Sequence, residues 1–243
     1  MRVAVLADIH SNLQALDAVL ASIGTVDALW HLGDVVGYGP EPDGVVQRLR
    51  DAAAVGVRGN HDDAVCGGAT IESFNPDART AAEWTRWRIG EQTRDYLEAL
   101  PEMFVPDGSD FTLVHGSPRD PIFEYLVSPR AAQECLAVID TSHCLVGHTH
   151  IPTVFRQRRR GGIAAMVVAP ESRLQLDDRR AVFNPGSVGQ PRDGNPSASY
   201  LILDTAAGHA TWRRVPYDIG ATQAAMLVAG LPPGLARRLS FGR

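Results

Sequence analysis

Residues 1–34, MRVAVLADIHSNLQALDAVLASIGTVDALWHLGD, decide the fold class. Residues 2–7 (RVAVLA) are a short Val-rich apolar run and read as a buried strand. Ser11 or Asn12 can cap the helix that follows, whose Leu13, Leu16, Val19, Leu20 and Ile23 fall on one side. Gly24 ends that helix, and residues 27–32 (DALWHL) form a second strand. The same alternation continues through a helix carrying Val45, Val46 and Leu49 to a third strand at 54–58. Strand, helix, strand, helix, strand with short links is the pattern of a βαβ sheet.

Farther along, 77–100 is expected to be helical, in two pieces around Gly90. A strand at 110–115, a helix at 130–139 and a strand at 142–147 follow. Beyond 150 the texture changes to short alternating runs at 151–156, 163–169, 180–183, 199–204 and 210–214, which read as antiparallel strands. The chain is expected to form one α/β domain over 1–243, with 217–243 a helical C-terminal tail broken by Pro232-Pro233-Gly234.

Bulk properties exclude several classes. The chain has 243 residues, 44% hydrophobic and 21% charged, which suits an ordinary globular protein. Its net charge of -5 disfavours a long nucleic acid as partner. The one basic cluster, Arg156, Arg158, Arg159 and Arg160 before Gly161-Gly162, reads as a solvated hairpin turn, with a phosphate-reading patch as the alternative. Cys66, Cys135 and Cys144 form no CxxC pair, there is no apolar stretch of about 18 residues, and a cytoplasmic location with no membrane partner is expected.

The chemistry lies at the strand ends. The first ends in Asp8-Ile9-His10, the second in Gly33-Asp34, the third in Gly59-Asn60-His61-Asp62, the fourth in His115-Gly116 and the fifth in Gly147-His148-Thr149-His150. In α/β sheets, ligands bind beyond the carboxyl ends of the strands. Asp8 and His10, like His148 and His150, are two apart, so in an extended segment both side chains of each pair leave one face. Carboxylates, an amide and several imidazoles exceed what one tetrahedral zinc site takes. They suit two ions roughly 3.5–4 Å apart that clamp a phosphoryl group and lower the pKa of a bound water. His31, His143 and His209 fall outside the pattern and are expected to be structural or surface residues. Asp62 either orients a neighbouring ring or caps a turn. No P-loop and no GxSxG elbow is present.

These five blocks, in this order over residues 1 to about 205, resemble the calcineurin-like metallophosphoesterase family, most closely its small stand-alone bacterial and archaeal phosphodiesterases. The resemblance implies two packed, mostly mixed β-sheets flanked by helices, with a dinuclear site at the strand C-terminal ends. It implies that Asp8, His10 and His150 hold one metal, Asn60, His115 and His148 the other, and that Asp34 bridges them. His61 would not ligate but would face the substrate, stabilising phosphoryl oxygens or protonating the leaving oxygen. The cofactors would be two divalent transition-metal ions (Mn, Fe, Ni, Co or Zn, with Mn favoured), and a metal-bridging hydroxide would attack a small phosphodiester.

Asn184-Pro185-Gly186-Ser187 also resembles a late loop of those proteins and offers backbone and hydroxyl donors. The chain departs from the protein-phosphatase branch, whose GDxxDRG arginine is replaced by Tyr38 and Gly39 after Asp34. Arg58, Arg119 or Arg192 could supply that charge instead. The competing readings are a phosphomonoesterase, a phosphatase of nucleotides or dinucleoside polyphosphates, and a catalytically silent metal-holding scaffold. Every candidate ligand and His61 are present, which counts against the last.

Overall fold

The computed structural model describes residues 1–68 and 71–243, with the side chain of Glu72 left aside. Two six-stranded mixed sheets pack face to face. The first runs β3 (Val55–Gly56), β2 (Ala28–His31), β1 (Arg2–Leu6), β11 (Ala198–Asp204), β12 (His209–Val215), β9 (Arg173–Gln175). The second runs β4 (Met103–Phe104), β5 (Phe111–Val114), β6 (His143–Leu145), β10 (Ala181–Asn184), β7 (Thr153–Gln157), β8 (Ile163–Val167).

The parallel parts carry the site. β1, β2 and β3 pair in parallel, joined by α1 (Leu13–Ile23) and α2 (Pro42–Asp51). In the other sheet β5 and β6 pair in parallel across α6 (Pro129–Ala137). Asn12 caps α1 by accepting the Ala15 N–H, and Gly24 ends the helix. β1 shows why its sequence is apolar throughout. Val3 and Val5 face the inter-sheet core with Trp30, Phe111, Leu145, Phe183 and Trp212. Ala4 and Leu6 face Leu16, Val19, Val45 and Leu49 of the helices outside. A strand covered on both faces has no solvent face to make polar. On the far side, α6 lays Ala132, Cys135 and Leu136 against Cys144, Phe155 and Val182.

The five strand ends come from two sheets, in the arrangement the resemblance implied. One expectation is corrected. The basic run is not all solvated turn. Arg158–Gly162 closes the β7–β8 hairpin, but Arg156 is buried, ion-paired to Asp177 at 2.5 Å. The helix at 77–100 does break at Gly90, into α4 (Pro76–Arg88) and α5 (Glu91–Ala99). Asn60–Cys66 forms α3. After β12 come α7 (Ile219–Val228) and α8 (Pro233–Arg238). Met226, Leu231, Leu235 and Leu239 from this end pack with Ala78, Ala81 and Tyr38. No helix among the described residues is long and apolar enough to cross a membrane, and the three cysteines are free.

Candidate metal centre

β1 stops at Leu6 and β6 at Leu145, so the paired ligand candidates are not in extended backbone. Asp8 and His10 have φ of 53° and 51°, His148 and His150 of 65° and 60°, and Asp34 of 50°. The expectation that each pair leaves one face of a strand is therefore corrected: alternate residues enter the left-handed region, which turns both side chains inward. Asp and His tolerate that region better than most residues. Such conformations cost of order 1–3 kcal/mol each and persist only where the surroundings hold them. Here the holders are backbone bonds between loops: Asp8 N to Gly33 O at 3.1 Å, His10 N to Asp34 O at 2.9 Å, and Gly147 N to His115 O at 2.9 Å. Gly33 (φ 82°) and Gly59 let two loops touch backbone to backbone; a Cβ on Gly59 would meet the Asp34 N at 2.3 Å.

The loops deliver two buried clusters. Asp8, His10, Asp34 and His150 each place one ligand atom within 4.8 Å of the others, and so do Asp34, His115 and His148. Asn60 joins the second, its Oδ1 3.0 Å from His115 Nε2. Asp34 belongs to both: its Oδ2 is 3.5 Å from His10 Nε2 and 3.5 Å from His115 Nε2.

The imidazoles are oriented for ligation. His10 Nδ1 donates to Val36 O (3.1 Å), His115 Nδ1 to Leu32 O (2.8 Å) and His150 Nδ1 to Gln190 O (2.6 Å). Those bonds assign the proton to Nδ1 and leave each Nε2 with a lone pair pointing inward. His10 Nε2 and His150 Nε2 then face each other at 3.2 Å with no proton between them. Asp8 Oδ2 and His148 Nε2 are buried without a hydrogen-bond partner. Lone pairs converging in a buried space, with orphaned acceptors beside them, fit cations and little else.

His61 opens α3 and does not join either cluster. Its ring lies 4.4 Å from Tyr38, 4.7 Å from Phe74 and 4.9 Å from His10. Its Nδ1 has no partner, and a Cβ on Gly37 would fall 2.5 Å from that atom. Asp62 braces backbone rather than a ring: it accepts from Gly59 N and Val36 N, both at 3.0 Å. Asn184 and Ser187 are likewise spent inside the protein, on Gly147 O (2.7 Å) and Asp8 O (2.7 Å). Their loop supports the ligand loops. His31 is buried against Tyr96, His143 is buried in β6, and His209 contacts Arg173. The sequence reading missed Tyr125, stacked on His148 at 3.8 Å, and Phe74; both lie in segments without periodicity, and no local signal marked them.

The model of the calcineurin-like phosphoesterase superfamily domain matches residues 1–208. The chain belongs to this superfamily. It is similar to an uncharacterized protein of Methanocaldococcus jannaschii, at 37% identity over 99% of this chain and 98% of that one. It is also similar to phosphodiesterase YfcE of Escherichia coli, at 30% identity over 84% and 88%. A crystal structure of a metallophosphoesterase from Sphaerobacter thermophilus superposes with a TM-score of 0.89 at 43% identity, over 100% and 99% of the two chains. A hypothetical protein from Pyrococcus horikoshii, 22% identical, shares the fold with a TM-score of 0.82 over 100% and 98%.

As a calcineurin-like phosphoesterase, the chain is a metal-dependent hydrolase of phosphate esters, and its two His/Asp clusters are close enough to coordinate ions. The electrostatics of the clusters agree. Burial keeps the rings neutral, the ligating form: His115 is pushed down to about 4, His148 to about 2, and His10 and His150 well below the usual range. Burial raises Asp34 to about 7, and burial with the Asp34 charge raises Asp8. Below about pH 7 a cation must therefore displace a proton from Asp34, while the rings offer no competition. Apparent Mn²⁺ affinity should climb between about pH 6 and about pH 8, by up to about tenfold per unit for each proton displaced. Calorimetric titration of metal-free protein at both values checks this; equal affinities would mean that no carboxyl proton is released.

Proposed function

We propose that this calcineurin-like enzyme hydrolyses small, soluble phosphodiesters at a site holding two divalent transition-metal ions. Asp8, His10 and His150 would hold one ion, Asn60, His115 and His148 the other, with Asp34 shared. The observation that carries the reading is Asp34 Oδ2, equidistant at 3.5 Å from an Nε2 of each cluster. Ions bound there supply Lewis acidity and an activated water nucleophile at neutral pH. Asn, carboxylate and imidazole ligands suit Mn, Fe, Ni, Co or Zn, and Mn is our choice for loading.

The chain's own groups do the rest. Asp34 Oδ1 accepts the His61 backbone N–H at 2.9 Å, so the bridging candidate also fixes the start of α3 and the ring beyond it. Burial and the Arg192 charge push His61 down to about 3, so it meets substrate as a neutral N–H donor to phosphoryl oxygens. Protonation of a leaving oxygen would need the bound anion to raise that value first.

A diester is favoured because two of the three candidate guanidinium groups are spent on carboxylates. Arg58 is engaged by Asp63 (3.5 Å) and Glu102 (3.4 Å), and Arg119 by Glu124 and Glu134. A monoester dianion asks for more fixed positive charge than a diester monoanion. The name of the E. coli relative, a phosphodiesterase, points the same way. With Mn²⁺ loading, kcat/KM for bis-p-nitrophenyl phosphate should exceed that for p-nitrophenyl phosphate at the same pH. A preference for the monoester would refute the diesterase assignment and leave the superfamily chemistry standing.

A further inference from the structure

Arg192 is a guanidinium beside the clusters with no acidic partner among the described residues. It follows the loop that braces the ligand backbones, and its own N–H donates to His150 O at 3.3 Å. Its Nε and Nη2 both donate to one atom, Gln190 Oε1, at 3.2 and 2.7 Å. Among the described residues no carboxylate pairs with it, in contrast to Arg58, Arg119 and Arg214. Gln190 is buried, so the acceptor is fixed, and a neutral amide orients the fork without cancelling its charge. A guanidinium has five N–H donors, and this contact occupies only two of them. Cζ lies 5.9 Å from the Tyr38 ring centroid, and that ring also touches His10 (4.7 Å) and His61 (4.4 Å). The charge and His61 thus both border the Tyr38 ring.

We infer that Arg192 contacts the substrate, taking a non-bridging oxygen of the phosphoryl group, and so sets how far the site accepts a monoester dianion beside a diester monoanion. The inference rests on the reading of the two clusters as the phosphoesterase centre. An oriented, half-buried cation with no carboxylate partner beside an anion-processing site is costly to keep unless an anion arrives. A dianion gains more from it than a monoanion. The competing role is a clasp that only steadies the Gln190–His150 loop.

The test uses the full Mn²⁺-loaded chain, wild type, Arg192→Ala and Arg192→Lys. Measured are kcat/KM for the two p-nitrophenyl esters, orthophosphate binding by calorimetry, metal content, and the melting temperature without metal. Arg192→Ala should lose about 10- to 100-fold on the monoester and in orthophosphate affinity, the worth of a charged hydrogen bond. The diester should lose several-fold less, and metal content should hold. Arg192→Lys should recover part of the monoester loss through charge alone. Equal losses on both esters with a lower melting temperature or lost metal would establish the clasp and overturn the inference. So would unchanged kinetics. If the wild type hydrolyses neither ester, the phosphoesterase reading itself fails. Orthophosphate affinity equal in wild type and Arg192→Ala would then overturn the role of Arg192 separately.

Discussion

Replacing Asp34 with Ala should empty both ion sites at once. One carboxylate stands in two clusters, so its loss removes a ligand from each and the shared charge between them. Wild-type protein prepared without chelator should carry two ions per chain, and Asp34→Ala fewer than one. Turnover should fall well beyond the roughly 10- to 100-fold that outer hydrogen-bond partners of metal ligands are worth. Asp34 Oδ1 also accepts the His61 N–H, so Ala could act by loosening α3 instead. Asp34→Asn separates the two effects, because an amide oxygen keeps that hydrogen bond while the charge is lost. Elemental analysis beside circular dichroism reads the outcome. Two ions held tightly by either variant would show that Asp34 does not bridge.

Replacing His61 should do the opposite: keep the ions and lose the rate. Its ring is in van der Waals reach of Tyr38, Phe74 and His10 but outside both clusters. Only its backbone N–H contributes to the Asp34 arrangement, and Ala retains that group. Removing a positioned donor or acid typically costs about 10²–10⁴-fold. The loss should appear with activated and with unactivated leaving groups, since a neutral N–H on a phosphoryl oxygen serves both. His61→Ala with a missing ion, or with the wild-type rate on an alkyl ester, would remove His61 from the chemistry.

Much of this centre was visible in the chain itself because both signals are local. Val-rich runs such as 2–7 mark strands covered on both faces, and Asp8, Asp34, His115 and His148 fall where such runs end. The order of the blocks then carried the resemblance that supplied the second sheet. What stayed hidden depends on distant partners. No spacing rule shows that Asp8 and His10 converge through left-handed backbone, since Gly33 and Asp34 supply the bonds that hold it. Short edge strands such as β4 and β9 exist only through their pairing. The place of Arg192, and the exclusion of Arg58 and Arg119, were set by which carboxylates lay nearby in space. Tyr38 read as an absence, a missing arginine, yet in the fold it is the wall between the C-terminal helices and the His10–His61 pair.

The division of the ligands between the sheets gives the ions a mechanical role besides their chemical one. Asp8, His10, Asp34 and Asn60 hang from the first sheet, His115, His148 and His150 from the second. Elsewhere the two layers adhere chiefly through apolar contact, which resists separation more than sliding, with hydrogen bonds such as Trp212 Nε1 to Asn184 O (2.9 Å) and Arg156 Nη2 to Gln175 O (2.6 Å) between them. Cations gripped from both sides would act as rivets at one end of the sandwich, closing chain loops as long as that from residue 8 to residue 150. The reagent of the reaction would then also be the fastener that keeps the two jaws of the site in register.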